Sequence, residues 1–172
     1  AAHAVWVDDA DLNILRELHG GVAHCPSSNM KLASGAAPVA KMLTLKIAVG
    51  LGTDGPAGSN NDLNLFEEMD LASKLQKLVT SDPRALPARQ ALELATIGGA
   101  RALGLDKQTG SLEPAKRADL ITVRLDRPHA VPLYDVYSPL VYALQGSDVQ
   151  DVMVNGRLGV RDGVPLTTAQ NQ

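Results

Sequence analysis

The 172-residue sequence predicts an α/β chain built on a parallel sheet, followed by a small β module. Three observations carry this. The first half alternates short apolar runs with amphipathic stretches in the order strand–helix–strand–helix–strand, the signature of parallel strands joined by crossover helices. Residues 46–52, Lys46 to Gly52, form a near-continuous apolar run, which suits a strand covered on both faces. Near the other end, Val152-Met153-Val154, Asn155-Gly156 and Arg157 to Val160 read as a β-hairpin with a two-residue Asn-Gly turn.

The elements follow in order. Residues 3–7 read as a short strand, and Asp8 or Asp9 can cap a helix through Leu12, Leu15 and Leu18 that ends at Gly20-Gly21. Val22-Ala23-His24 is a second strand, and Cys25 to Ala37 a loop. Pro38 opens a helix over Val39–Leu45, and residues 47–52 form the third strand. A glycine- and asparagine-rich loop, Gly55 to Asn61, is long enough to cover a ligand. Asp62 then caps a helix carrying Leu63, Phe66, Leu71, Leu75 and Leu78. Pro87 starts the next, whose stripe of Ala88, Ala91, Leu92, Ala95, Gly99, Ala102 and Leu103 predicts very close packing on the sheet, with Gly104 as its stop. Ala118 to Val123 is a further strand. The predicted boundary lies near Ser111, giving segments 1–111 and 112–172.

Composition excludes several classes. Lys plus Arg (16) nearly balances Asp plus Glu (19), and a net charge of −3 gives no reason to expect nucleic acid or an anionic membrane as partner. No apolar run is long enough to span a bilayer. The single cysteine, Cys25, excludes an internal disulfide and fits a reducing cytoplasm, the localisation expected here. The chain opens at Ala1 without methionine, inside an apolar stretch. That predicts the carboxyl-terminal portion of a longer protein, whose edge at Ala1 needs a missing N-terminal segment, a companion chain or a homo-oligomeric partner.

Three polar residues fall at or near strand ends: His3, His24 and Asp54. Parallel barrels converge such ends on one face, where a carboxylate serves as metal ligand or proton carrier. Imidazole and carboxylate together suit zinc. The alternatives are a helix-capping Asp54 and hydrogen-bonded core histidines. Cys25 follows His24 directly and so points the other way, as a buried thiol. Ser27, Ser28 and Asn29 fit a turn or a substrate contact, while Glu67, Glu68, Lys74 and Lys77 read as an exposed helix face. His19 and His129 have no partner that the sequence names.

Several stretches share one pattern in order and spacing: His3-Ala4-Val5-Trp6, His24-Cys25-Pro26-Ser27-Ser28-Asn29-Met30-Lys31-Leu32-Ala33-Ser34-Gly35 and Gly52-Thr53-Asp54-Gly55, then Gly99 to Leu105, Gly110-Ser111-Leu112-Glu113, Ala118-Asp119-Leu120 and Val154-Asn155-Gly156-Arg157. With them the chain resembles the amidohydrolase superfamily in its deaminase and chlorohydrolase branch. Leu140-Val141-Tyr142-Ala143 brings it nearest to the 5′-methylthioadenosine/S-adenosylhomocysteine deaminases. The resemblance implies strands six to eight of a metal-dependent (β/α)8 TIM barrel, then part of a β-sandwich. It implies one divalent metal, usually zinc, bound by Asp54. Asp54 is also implied to contact the substrate and handle the water proton, and His3 to face the attacking water. The family's paired first-strand histidines, its fifth-strand histidine and its catalytic glutamate have no match here. The implied reaction is therefore zinc-dependent deamination of a purine-type nucleoside, incomplete in this chain alone. The alternatives are a triazine-type chlorohydrolase, a guanine deaminase, or a non-catalytic fragment or scaffold.

Overall fold

The computed structural model describes residues 1–166; residues 167–172 of the second predicted segment lie outside the described residues. Helix α1 (Asp9–Glu17) begins where Asp8 accepts a hydrogen bond from the Asp11 amide while Asp11 accepts from Asp8, a reciprocal cap. Strand β1 (Gly21–His24) lies parallel to β2 (Ala48–Leu51), in register from Gly21 opposite Ala48 to His24 opposite Leu51. Between them run α2 (Pro26–Lys31) and α3 (Val39–Thr44).

Residues 3–7 are not a strand. Only Ala2 makes a parallel bridge to Ala23, and the chain then turns away because His3 (φ 61°) and Ala4 (φ 47°) take left-handed conformations incompatible with extended backbone. The Cys25–Ala37 segment is not all loop either. Pro26 occupies the first turn of α2, where its missing amide hydrogen costs nothing.

Helix α4 (Leu65–Thr80) is capped by Asn64, whose side chain accepts from the Phe66 amide; Asp62 instead accepts from its neighbour Leu63. Its buried face carries Glu68, Met69, Ala72, Ser73 and Gln76. Glu68 is thus no part of an exposed face, and Lys77 is half-buried, donating to the carbonyls of Ala85 and Leu86. Helix α5 (Ala88–Glu93) continues through a π-helical turn (Leu94–Gly98) into α6 (Gly99–Ala102). The close packing expected of this stripe is present. A Cβ on Gly50 of β2 would fall 2.5 Å from Gly99 Cα, and one on Gly98 would fall 2.6 Å from Val49 O. Backbone meets backbone here, which only glycine permits. Leu12, Val22, Val39, Met42, Ile47, Val49 and Leu94 fill the core between sheet and helices.

The later residues form an antiparallel sheet in the order β3 (Leu120–Val123), β4 (Val149–Val154), β5 (Arg157–Arg161), β6 (Val164–Pro165), with α7 (Tyr137–Tyr142) between β3 and β4. The Asn-Gly hairpin is as expected: Asn155 (φ 50°) and Gly156 (φ 77°) both take the positive φ of a type I′ turn. Among the described residues no helix is long and apolar enough to cross a membrane.

Candidate active site

Asp54 lies three residues beyond the carboxyl end of β2 and has φ 62°. Two of the sequence-nominated residues, His3 and Asp54, therefore sit in a region that few non-glycine residues occupy, and such outliers concentrate at functional sites. The two side chains meet: His3 Nε2 is 3.6 Å from Asp54 Oδ2.

Each is held from behind. Asn29 Oδ1 lies 2.8 Å from His3 Nδ1, which anchors that side of the ring and turns Nε2 toward Asp54. Ser28 Oγ donates to Asp54 Oδ2 (2.7 Å) and the Gly55 amide donates to Oδ1 (2.7 Å). The Ser28 hydroxyl, followed by the Gly55 amide, holds the Asp54 carboxyl below the usual carboxylate range. Ser28 and Asn29, which the sequence left between a turn and a substrate contact, are fully buried in the α2 helix, and their side chains brace the two candidate residues.

His24 does not join them. Its ring is completely buried, with neither nitrogen partnered among the described residues, and burial, then the neighbouring His3, pushes its pKa from 6.5 down to about 4. It is a neutral core imidazole. Cys25 is the buried thiol expected, with its pKa raised to about 11 by burial first and then by the charges of Asp54 and Glu68. His129 does have a partner, with Nε2 2.9 Å from Asp148 Oδ2, far along the chain from Asp54.

Asp54 suits a divalent metal in one position of a ligand set. It is ionised and partly open to solvent, and each oxygen accepts one hydrogen bond, leaving a lone pair free on each. The number of donors falls short. No group of three or more His, Cys, Asp or Glu side chains converges among the described residues, whereas zinc takes at least three protein ligands.

The amidohydrolase family pattern matches residues 1–159, and the chain belongs to that family. It is 48% identical over 163 residues to a 5-methylthioadenosine/S-adenosylhomocysteine deaminase of Thermodesulfovibrio yellowstonii, covering 95% of this chain and 37% of that protein. It is 53% identical over 162 residues to a 5′-deoxyadenosine deaminase of Methanosarcina mazei, covering 94% and 37%. Among solved structures it superposes with a TM-score of 0.94 and 39% identity on an adenosine deaminase from Xanthomonas campestris with bound zinc, covering 98% of this chain and 38% of the other. The chain thus spans little more than a third of the length of these relatives, and carries a metal-dependent hydrolase fold.

Proposed function

We propose that this chain forms the carboxyl-terminal part of a zinc-dependent aminohydrolase acting on an adenosine-type nucleoside, of the methylthioadenosine or S-adenosylhomocysteine class. In that reading residues 1–111 supply the last part of a (β/α)8 barrel, with strand six reduced to the Ala2 bridge and strands seven and eight being β1 and β2, and the described residues after 111 supply part of a β-sandwich. The free side of β2 and the remaining metal ligands are completed by chain outside these residues. The observation that carries the proposal is the Asp54–His3 pair beyond a parallel strand, 3.6 Å apart and separately braced, in a chain about half identical to named nucleoside deaminases.

Asp54, together with ligands from chain outside these residues, would hold the zinc ion, which would supply water acidified to a pKa near 7. The rest of the chemistry is the protein's. Asp54 Oδ2 accepts the proton of the attacking water, and His3 Nε2 hydrogen-bonds the attacking oxygen at the purine carbon that bears the amino group. Asp54 then returns the proton to the departing nitrogen. The attack moves the C=N electron pair onto the ring nitrogen; as the C–N bond breaks and ammonia leaves, the added hydroxyl becomes the carbonyl and its remaining proton ends on that ring nitrogen, so both protons of water are accounted for.

The test uses the full-length protein with 5′-methylthioadenosine, guanine and a chlorotriazine as substrates, reading ammonia and chloride. We expect ammonia from the nucleoside, and a loss of about 10²–10⁴-fold in turnover for Asp54→Ala together with loss of zinc. Chloride release, deamination of guanine alone, or no reaction with any substrate would each overturn the substrate assignment. Retained zinc and turnover in Asp54→Ala would overturn the site.

A further inference from the structure

Glu68 is 1% exposed, sits on the inner face of α4, and has no role in the chemistry above. It is nonetheless fully engaged. Oε1 accepts from Ser27 Oγ (2.5 Å) and Asn60 Nδ2 (2.9 Å), while Oε2 accepts from the Ser27 amide (3.1 Å). Burial raises its pKa, and the Ser27 hydroxyl and amide and the Asn60 amide oppose that rise.

Both partners lead to Asp54. Ser27 lies in the first turn of α2 and immediately precedes Ser28, whose hydroxyl donates to Asp54 Oδ2. Asn60 uses the same amide nitrogen to donate to the Thr53 carbonyl (2.8 Å), the residue just before Asp54. Its own amide donates to Gly55 O (3.1 Å), the residue just after. Asp54 is thus held at its carboxylate by α2 and along its flanking backbone by the Gly55–Asn61 loop, and the Glu68 carboxylate ties both to α4.

We propose that Glu68 is a positioning residue for Asp54. It fixes the carboxylate's direction through Ser27–Ser28 and through Asn60–Thr53, without touching metal or substrate. A buried group two hydrogen bonds and one peptide link from Asp54 on either route, satisfied only as an acceptor, has this as its structural consequence. Apolar packing would hold α4 in place equally well and would not need a charge there. The proposal rests on the assignment of Asp54 as ligand and proton carrier.

Glu68→Gln keeps the size but places an NH2 group against the Ser27 amide, so one donor faces another. In the full-length protein we expect zinc release to a chelator to quicken by about 10–100-fold, the range seen when groups behind a ligand are removed. We expect kcat to fall in the same range, with KM for 5′-methylthioadenosine changed less than about threefold. Ser28→Ala should move both quantities in the same direction, and the double variant should be no worse than the poorer single, because both cut one chain of contacts. A merely structural role would lower the unfolding midpoint with zinc release unchanged in the folded protein, or give losses that multiply in the double variant; either result overturns the proposal. If Glu68→Gln fails to fold, Asn60→Ala, which cuts only the loop arm, should still quicken zinc release. The two readings fail differently: zinc lost in Asp54→Ala but kept in Glu68→Gln and Asn60→Ala sinks this inference alone, whereas zinc kept in Asp54→Ala sinks the assignment on which it rests.

Discussion

Gly50→Ala joins the packing of the sheet to the placement of the site. The added Cβ would lie 2.5 Å from Gly99 Cα and 3.1 Å from Gly99 N, both backbone atoms, so no side-chain rotation can relieve the contact. Carbon atoms rest about 3.5–4.0 Å apart, so strand and helix must separate by roughly 1 Å. Overpacking of this kind costs about 1–3 kcal/mol, here toward the upper end, while the stiffer unfolded chain returns about 0.4–1 kcal/mol. The net loss is about 2 kcal/mol. Asp54 follows β2 by only three residues, and a shift of about 1 Å in a reacting group can cost on the order of 10²-fold in rate. Urea unfolding and nucleoside turnover of the full-length protein measure the two effects. Gly58→Ala is the control, since its Cβ would meet nothing within 4 Å, and it should stay within about 0.5 kcal/mol of the parent. A Gly50→Ala protein with parental midpoint and turnover would refute the close-packing argument.

Two further outcomes follow from buried titratable groups. Because the His24 pKa falls from 6.5 to about 4 on folding, the unfolded chain binds a proton between those values that the native state does not. Stability should therefore drop as pH falls from about 6.5 to about 4, by up to about 1.4 kcal/mol per unit, and His24→Leu should remove that slope from urea midpoints measured at pH 7 and pH 5. An unchanged slope would contradict a neutral buried imidazole. Cys25, raised from 9.0 to about 11, should react with iodoacetamide at pH 8 on the order of 100-fold more slowly in the native protein than in urea; equal rates would show an accessible, ordinary thiol.

Much of this arrangement is legible in residue pattern alone. Periodicity and punctuation mark α1, β1, α3, β2 and the Asn-Gly hairpin, and the small residues at Gly99 and Ala102 announce the tight contact with the sheet. The departures have local causes. An apolar stretch at residues 3–7 imitates a strand, but left-handed His3 and Ala4 break it after one bridge. The serines and asparagine of Pro26–Lys31 imitate a loop, although Pro26 at a first helical turn was an available signal. Asp62 is the commoner-looking cap, yet Asn64 takes the position.

The site divides the same way. His3 and Asp54 stand out by their places relative to the strands, and the structure brings them together. Glu68 is hidden because Glu67-Glu68 near a helix start looks like a solvated pair. Only the helix phase, with Met69, Ala72, Ser73 and Gln76 on the buried face, turns one inward and leaves the other exposed. Ser28 and Asn29 are similarly silent, since their partners lie 26 residues away along the chain.

The most direct measurement is the zinc position in crystals of the full-length protein, located by anomalous scattering. The expected result is a zinc ion about 2.0–2.2 Å from an Asp54 oxygen, with His3 Nε2 facing the water beside it. Zinc held entirely by other residues, with the Asp54 carboxylate bonded only to Ser28 and Gly55, would contradict it.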